Sequence, residues 1–167
     1  VNPKHLHLHN PPLHVYRSLE HSFPDTFKTE SFTYPPILRN ILIEFRDRFS
    51  KRVIGQEEAK IALLTAMYSL TRRDRDKPVV LMFYGPSGVG KTESAHFINS
   101  LLKGTLMRKQ FSMFQNEKFA SYIFGGSHSE DSFARDLLNR ESGVILLDEF
   151  DKANSIFHSA FYQFFDD

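Results

Sequence analysis

The chain has no cysteine. That absence excludes a disulfide framework, a thiolate zinc site and a cysteine nucleophile, and it is compatible with a reducing compartment. No apolar run approaches the roughly 18 residues of a transmembrane helix, and the N-terminus lacks the basic-then-apolar profile of a signal peptide. The sequence therefore predicts a cytoplasmic protein with no membrane partner. An excess of charge is missing too: 21 basic against 20 acidic side chains leave a net charge of +1, so no strong field argues for nucleic acid. The first residue is Val1 rather than methionine, and the chain stops at Asp167, 18 residues past Glu149 and before any further strand pattern. On sequence it is expected to be a piece of something longer.

At 167 residues, 41% apolar and 25% charged, the chain can bury one sizeable core. Its most specific stretch is Gly85-Pro86-Ser87-Gly88-Val89-Gly90-Lys91-Thr92, with Glu93 next in line. It follows the apolar run Val79–Tyr84 and opens a segment that reads as a helix, Lys91 to Leu102. A strand, a glycine-rich loop and a helix in that order are what a phosphate-binding P-loop needs. The glycines let successive backbone N–H groups curl around a pyrophosphate, and the helix N-terminus adds partial positive charge. Lys91 would reach the β- and γ-phosphates of ATP, and the Thr92 hydroxyl would hold magnesium.

Gly143-Val144-Ile145-Leu146-Leu147-Asp148-Glu149 reads as a buried parallel strand that delivers two carboxylates at its C-terminal end. In an open α/β sheet that edge is where ligands bind. Asp148 would accept magnesium-bound waters, and Glu149 could polarise the water that attacks the γ-phosphate.

The rest of the chain frames these motifs. Residues 1–36 hold six of the eight prolines and five of the eight histidines, a composition that predicts an extended arm or linker. Within it His5, His7 and His9 alternate, so a strand would set three imidazoles on one face. Leu38, Ile41, Leu42, Phe45 and Phe49 recur at helical spacing, and Ala59, Ala62, Leu63, Ala66, Met67 and Leu70 do so after a turn at Gly55. The charged stretch Thr71–Pro78 reads as a loop, Leu106–Phe114 as a second strand, Gly125–Ser132 as a loop and Phe133–Asn139 as a short helix. Ile156, Phe157, Ala160, Phe161 and Phe164 form a last helical stripe.

Taken together, residues from about 50 to 167 resemble the AAA+ ATPases of the Clp chaperone and protease-regulator family. The matching pieces are Val53-Ile54-Gly55-Gln56, Gly85 to Thr92 as the Walker A motif, and Leu146-Leu147-Asp148-Glu149-Phe150-Asp151-Lys152-Ala153 as the Walker B motif. The resemblance implies an α/β, three-layer α/β/α P-loop NTPase fold with a mostly parallel sheet, incomplete at its C-terminus. Residues 37–167 would be the N-terminal part of that ATPase core. It implies Val53 and Ile54 near the adenine, and a ring subunit, commonly of a hexamer, acting on a protein substrate or with a protease partner. The family's Gly-aromatic-Val-Gly pore loop is replaced by Ser121-Tyr122-Ile123-Phe124-Gly125-Gly126-Ser127-His128, and its acidic Asp-Met-Ser-Glu by Gln110-Phe111-Ser112-Met113. Its sensor-1 strand, which lies between the two Walker strands, its arginine finger and its sensor 2 would follow Asp167. The isolated chain is accordingly expected to be a poor ATPase. The function implied is magnesium-dependent ATP hydrolysis that drives protein remodelling; the alternatives are a nucleotide-gated assembly switch and a torsin-like protein.

Overall fold

The computed structural model describes residues 4–72, 77–113, 121–123, 132–153, 158–159 and 161. Helices α1 (Leu13–Ser22), α2 (Arg39–Arg52), α3 (Glu57–Ser69) and α4 (Lys91–Leu102) precede strand β1 (Met107–Gln110), helix α5 (Phe133–Asn139) and strand β2 (Ile145–Asp148). Single 3₁₀ turns at Phe111–Met113 and Phe150–Lys152 follow the two strands.

The apolar stripes on α2 and α3 form one core with α4. Phe45 and Phe49, a turn apart on α2, are both wholly buried, and they meet Leu63 and Met67 of α3 and Phe97 and Leu101 of α4. Three rings anchor it: Phe45 to Phe49 at 4.9 Å between centroids, Phe45 to Phe97 at 5.8 Å and Phe49 to Phe97 at 6.0 Å. Gly55, with φ at +75°, turns the chain between α2 and α3, whose first turn carries Glu57 and Glu58 where the helix dipole favours negative charge.

Strands β1 and β2 are parallel, with Met107 opposite Ile145 and Gln110 opposite Asp148. A second apolar cluster of Met107, Phe111, Phe133, Ala153 and Phe161 packs there, joined by Leu147 and Phe150. Polar stitches tie the end of α4 to the start of β2. Asn99 donates to the Gly104 carbonyl at 3.0 Å, the wholly buried Ser142 hydroxyl donates to Asn99, and Val144 N–H donates back to Ser142 at 2.9 Å.

The expected strand at Val79–Tyr84 is not in the sheet, which among the described residues has two strands only. Val80, Leu81, Met82 and Tyr84 are exposed, and Phe83 alone leans on the first core. A strand exists through its ladder partner, and among the described residues none runs beside this segment. β2 instead pairs with β1.

The Pro-rich arm also departs from a uniformly extended reading, because α1 occupies its middle. Proline acts only locally: the stretch between Pro12 and Pro24 contains none, so Pro12 starts the helix and Pro24 follows its end. The alternating histidines form no strand, and no cluster of metal-ligating side chains occurs among the described residues. The arm lies on α5: Asn10 donates to Asn139 at 2.8 Å and to the Leu138 carbonyl at 3.3 Å. Tyr34 donates to the Arg140 carbonyl at 3.2 Å, and the Arg140 guanidinium stacks over the Tyr34 ring at 4.7 Å. The pore-loop counterpart after Ile123, the Gly125–Asp131 loop, Arg73–Asp76 and the final stripe apart from Phe161 lie outside the described residues.

Candidate functional site

The loop before α4 depends on glycine. Gly85, Gly88 and Gly90 have φ of +133°, +81° and +96°, a region that L side chains rarely adopt. Gly90 is also the left-handed N-cap of α4, and a β-carbon there would stand 2.6 Å from Val53 Cγ1. Val53 cannot give way easily, since it is buried in the first core. Lys91 opens α4 and curls back over the loop, its ammonium donating to the carbonyls of Gly85 at 2.8 Å and Pro86 at 2.6 Å.

The acidic pair arrives from the other direction on β2. Asp148 Oδ2 lies 3.5 Å from the Thr92 hydroxyl, across 56 residues of sequence, and accepts from the Arg108 guanidinium at 2.6 Å. Its other oxygen accepts the Glu149 N–H at 3.1 Å. Glu149 is exposed and held in the left-handed region at φ +54°, an uncommon conformation for a side-chain-bearing residue and one that concentrates at functional sites. Thr92 and Asp148 together present hard oxygen donors, the ligand class that magnesium takes.

The remaining predicted residues fall around this centre. Ser87 and Val89 lie in the loop. Val53 supports the loop from beneath through Gly90, whereas the neighbouring Ile54 is 84% exposed. Glu93, in the first turn of α4, is ion-paired with Arg52 at the end of α2. Arg108 is the participant that local sequence pattern did not single out. The available signal was a basic residue on β1, two positions before the register partner of Asp148. On α5, burial pushes the Asp136 carboxyl up, but hydrogen bonds from Lys109, at 2.5 Å, and from Tyr122 outweigh it and hold the group below its usual range.

A family model described as ATPase family associated with various cellular activities (AAA) matches residues 81–164, half of the chain and both motifs. The chain belongs to this AAA family. Its relatives include the chaperone protein ClpB of Yersinia enterocolitica, 34% identical over 139 residues, a match covering 75% of this chain and 15% of that protein. The chaperone protein ClpB of Meiothermus ruber is 30% identical over 141 residues, covering 77% and 16%, and chloroplastic ClpB3 of Arabidopsis thaliana is 30% identical over 141 residues, covering 77% and 15%. The chain is thus a Clp-type AAA+ ATPase sequence that spans about 15% of the length of these curated relatives. In the terms of this family, Gly85–Thr92 is its Walker A motif and Leu146–Ala153 its Walker B motif. No described helix is long and apolar enough to cross a membrane.

Proposed function

We propose that this AAA+ chain binds ATP with magnesium at Gly85–Glu93 and hydrolyses it, as part of a Clp-like ring in the cytoplasm that remodels a protein substrate. The observation that supports this best is the approach of the Thr92 hydroxyl to Asp148, which joins the glycine-rich loop to the acidic strand end. In this reading the complete protein has the three-layer fold, with residues 37–167 as part of the ATPase core and residues 1–36 as its arm.

Gly85, Pro86, Ser87, Gly88, Val89 and Gly90 wrap the phosphates with backbone N–H groups. Lys91 exchanges its two loop carbonyls for phosphate oxygens, an ion–ion contact in place of ion–dipole ones. Val53 and Ile54 lie towards the base, and Glu93, held by Arg52, fixes the first turn of α4. Thr92 and Asp148 are the residues that hold magnesium, which supplies charge neutralisation of the phosphates when bound. Glu149 orients and polarises the attacking water, its direction set by the left-handed backbone.

The test measures binding and turnover separately in the full chain and in the complete protein. Lys91→Ala is expected to weaken ATP binding about tenfold to a hundredfold, the range of one charge-assisted contact. Glu149→Gln is expected to keep binding and to slow hydrolysis by at least about a hundredfold. Unchanged ATP affinity in the first variant would sink the site assignment. Unchanged turnover in the second, or no turnover in the complete parent protein, would favour a nucleotide-gated switch.

A further inference from the structure

The geometry points to Arg108 as an internal stand-in for the divalent cation: its guanidinium pairs with Asp148 and competes with magnesium for that carboxylate. The inference rests on the nucleotide reading proposed above and concerns how readily the site loads.

The two oxygens of Asp148 are not equivalent. Oδ1 is fixed by the Glu149 N–H at 3.1 Å, while Oδ2 faces Thr92 at 3.5 Å. Arg108 sits on Oδ2, at 2.6 Å, and therefore on the oxygen that faces the other hard donor. The contact runs between neighbouring strands and follows from their register, with Arg108 opposite Leu146 and Asp148 opposite Gln110. The Arg108 side chain is 44% exposed and that of Asp148 is 21% exposed, so the guanidinium has solvent to move into and the carboxylate stays in place. A carboxylate approached by two cations binds each less well in the presence of the other, and so Arg108 raises the magnesium concentration at which the site fills. The free site gains in return, because Asp148 is not left as an uncompensated, half-buried charge.

The experiment titrates magnesium into the full chain at fixed concentrations of protein and a fluorescent ATP analogue, starting in excess chelator, and reads the midpoint of the metal-dependent rise in bound nucleotide. Arg108→Gln is expected to lower that midpoint by about two- to fivefold, the range of a partly exposed ion pair. Arg108→Lys, which keeps a cation, is expected to stay near the parent. Arg108→Met, which keeps the aliphatic stem on the strand, repeats the test with the same expected decrease should the Gln variant fail to fold. A midpoint that is unchanged or higher in the charge-free variants overturns the inference, a higher one meaning that Arg108 orients Asp148 for the metal. A parent chain that binds no nucleotide at any magnesium concentration instead overturns the reading of the site itself.

Discussion

Gly90→Ala should be the most damaging single-methyl change in the phosphate loop, and the structure sets its size. Alanine at φ +96° pays the left-handed penalty of about 1–2 kcal/mol. The new β-carbon would also stand 2.6 Å from Val53 Cγ1, a contact that real β-carbons essentially never make. Relief requires Val53 to shift within a packed core, which costs about 1–3 kcal/mol more. The total is about 2–5 kcal/mol, a large part of the stability of a typical domain. Gly88→Ala provides the control: its φ of +81° is equally unfavourable, but nothing lies within 4 Å of the added carbon, so it should cost about 1–2 kcal/mol. Urea unfolding followed by circular dichroism measures both, with midpoints separated by about 1 M for each 2 kcal/mol. Adding Val53→Ala to Gly90→Ala should cost less than the sum of the two single changes by about 1 kcal/mol or more, because it removes the clashing methyl. Equal midpoints for the two alanine variants, or strict additivity in the double variant, would refute the close approach as the constraint on this loop.

Two further expectations concern the cores. Phe45→Ala removes a wholly buried ring that touches Phe49 and Phe97, and should destabilise the chain by about 3–5 kcal/mol in the same unfolding assay. Asp136, held below its usual carboxyl range by Lys109 and Tyr122, contributes stability that is present above its unfolded value, about pH 3.9, and is lost as pH falls through its lower folded value. The stability difference between the parent and Asp136→Asn should therefore shrink between neutral pH and about pH 3; a difference that grows with acidity would contradict the assigned interactions.

Local elements were legible where their causes are local. Helix α4 runs over Lys91–Leu102 as its sequence suggests, because a left-handed glycine stands at one end and an apolar face at Ala95, Phe97, Leu101 and Leu102 gives it a core to enter. Helix α5 likewise runs over Phe133–Asn139 as its sequence suggests, and the Ser132 hydroxyl caps its start by accepting the Arg135 N–H. Val79–Tyr84 misled because β-branched and aromatic content signals a residue fit for a sheet, whereas membership depends on a neighbour supplied from elsewhere. Helix α1 was hidden by proline counted over a whole segment rather than at its two boundaries. Within the site, the loop and the acidic pair were visible as contiguous motifs. Arg108 was not, since its meaning arises only when β1 and β2 align side by side across 40 residues of sequence.

The seating of the N-terminal arm on α5 has a consequence for the timing of biosynthesis. Asn10 and Asn139 are separated by 129 residues and Tyr34 and Arg140 by 106, so the arm leaves the ribosome well before its docking surface exists. At a translation rate of about 5–20 residues per second, the interval between Asn10 and Asn139 is roughly 6–25 s. Throughout that time the arm must stay solvated, a task suited to its prolines and imidazoles. Contacts of such long range close late in folding, after the entropy of the intervening loop has been overcome. The arm is thus made well before its docking surface and is among the last segments to settle, and a protease or chaperone that works on nascent chains meets it open.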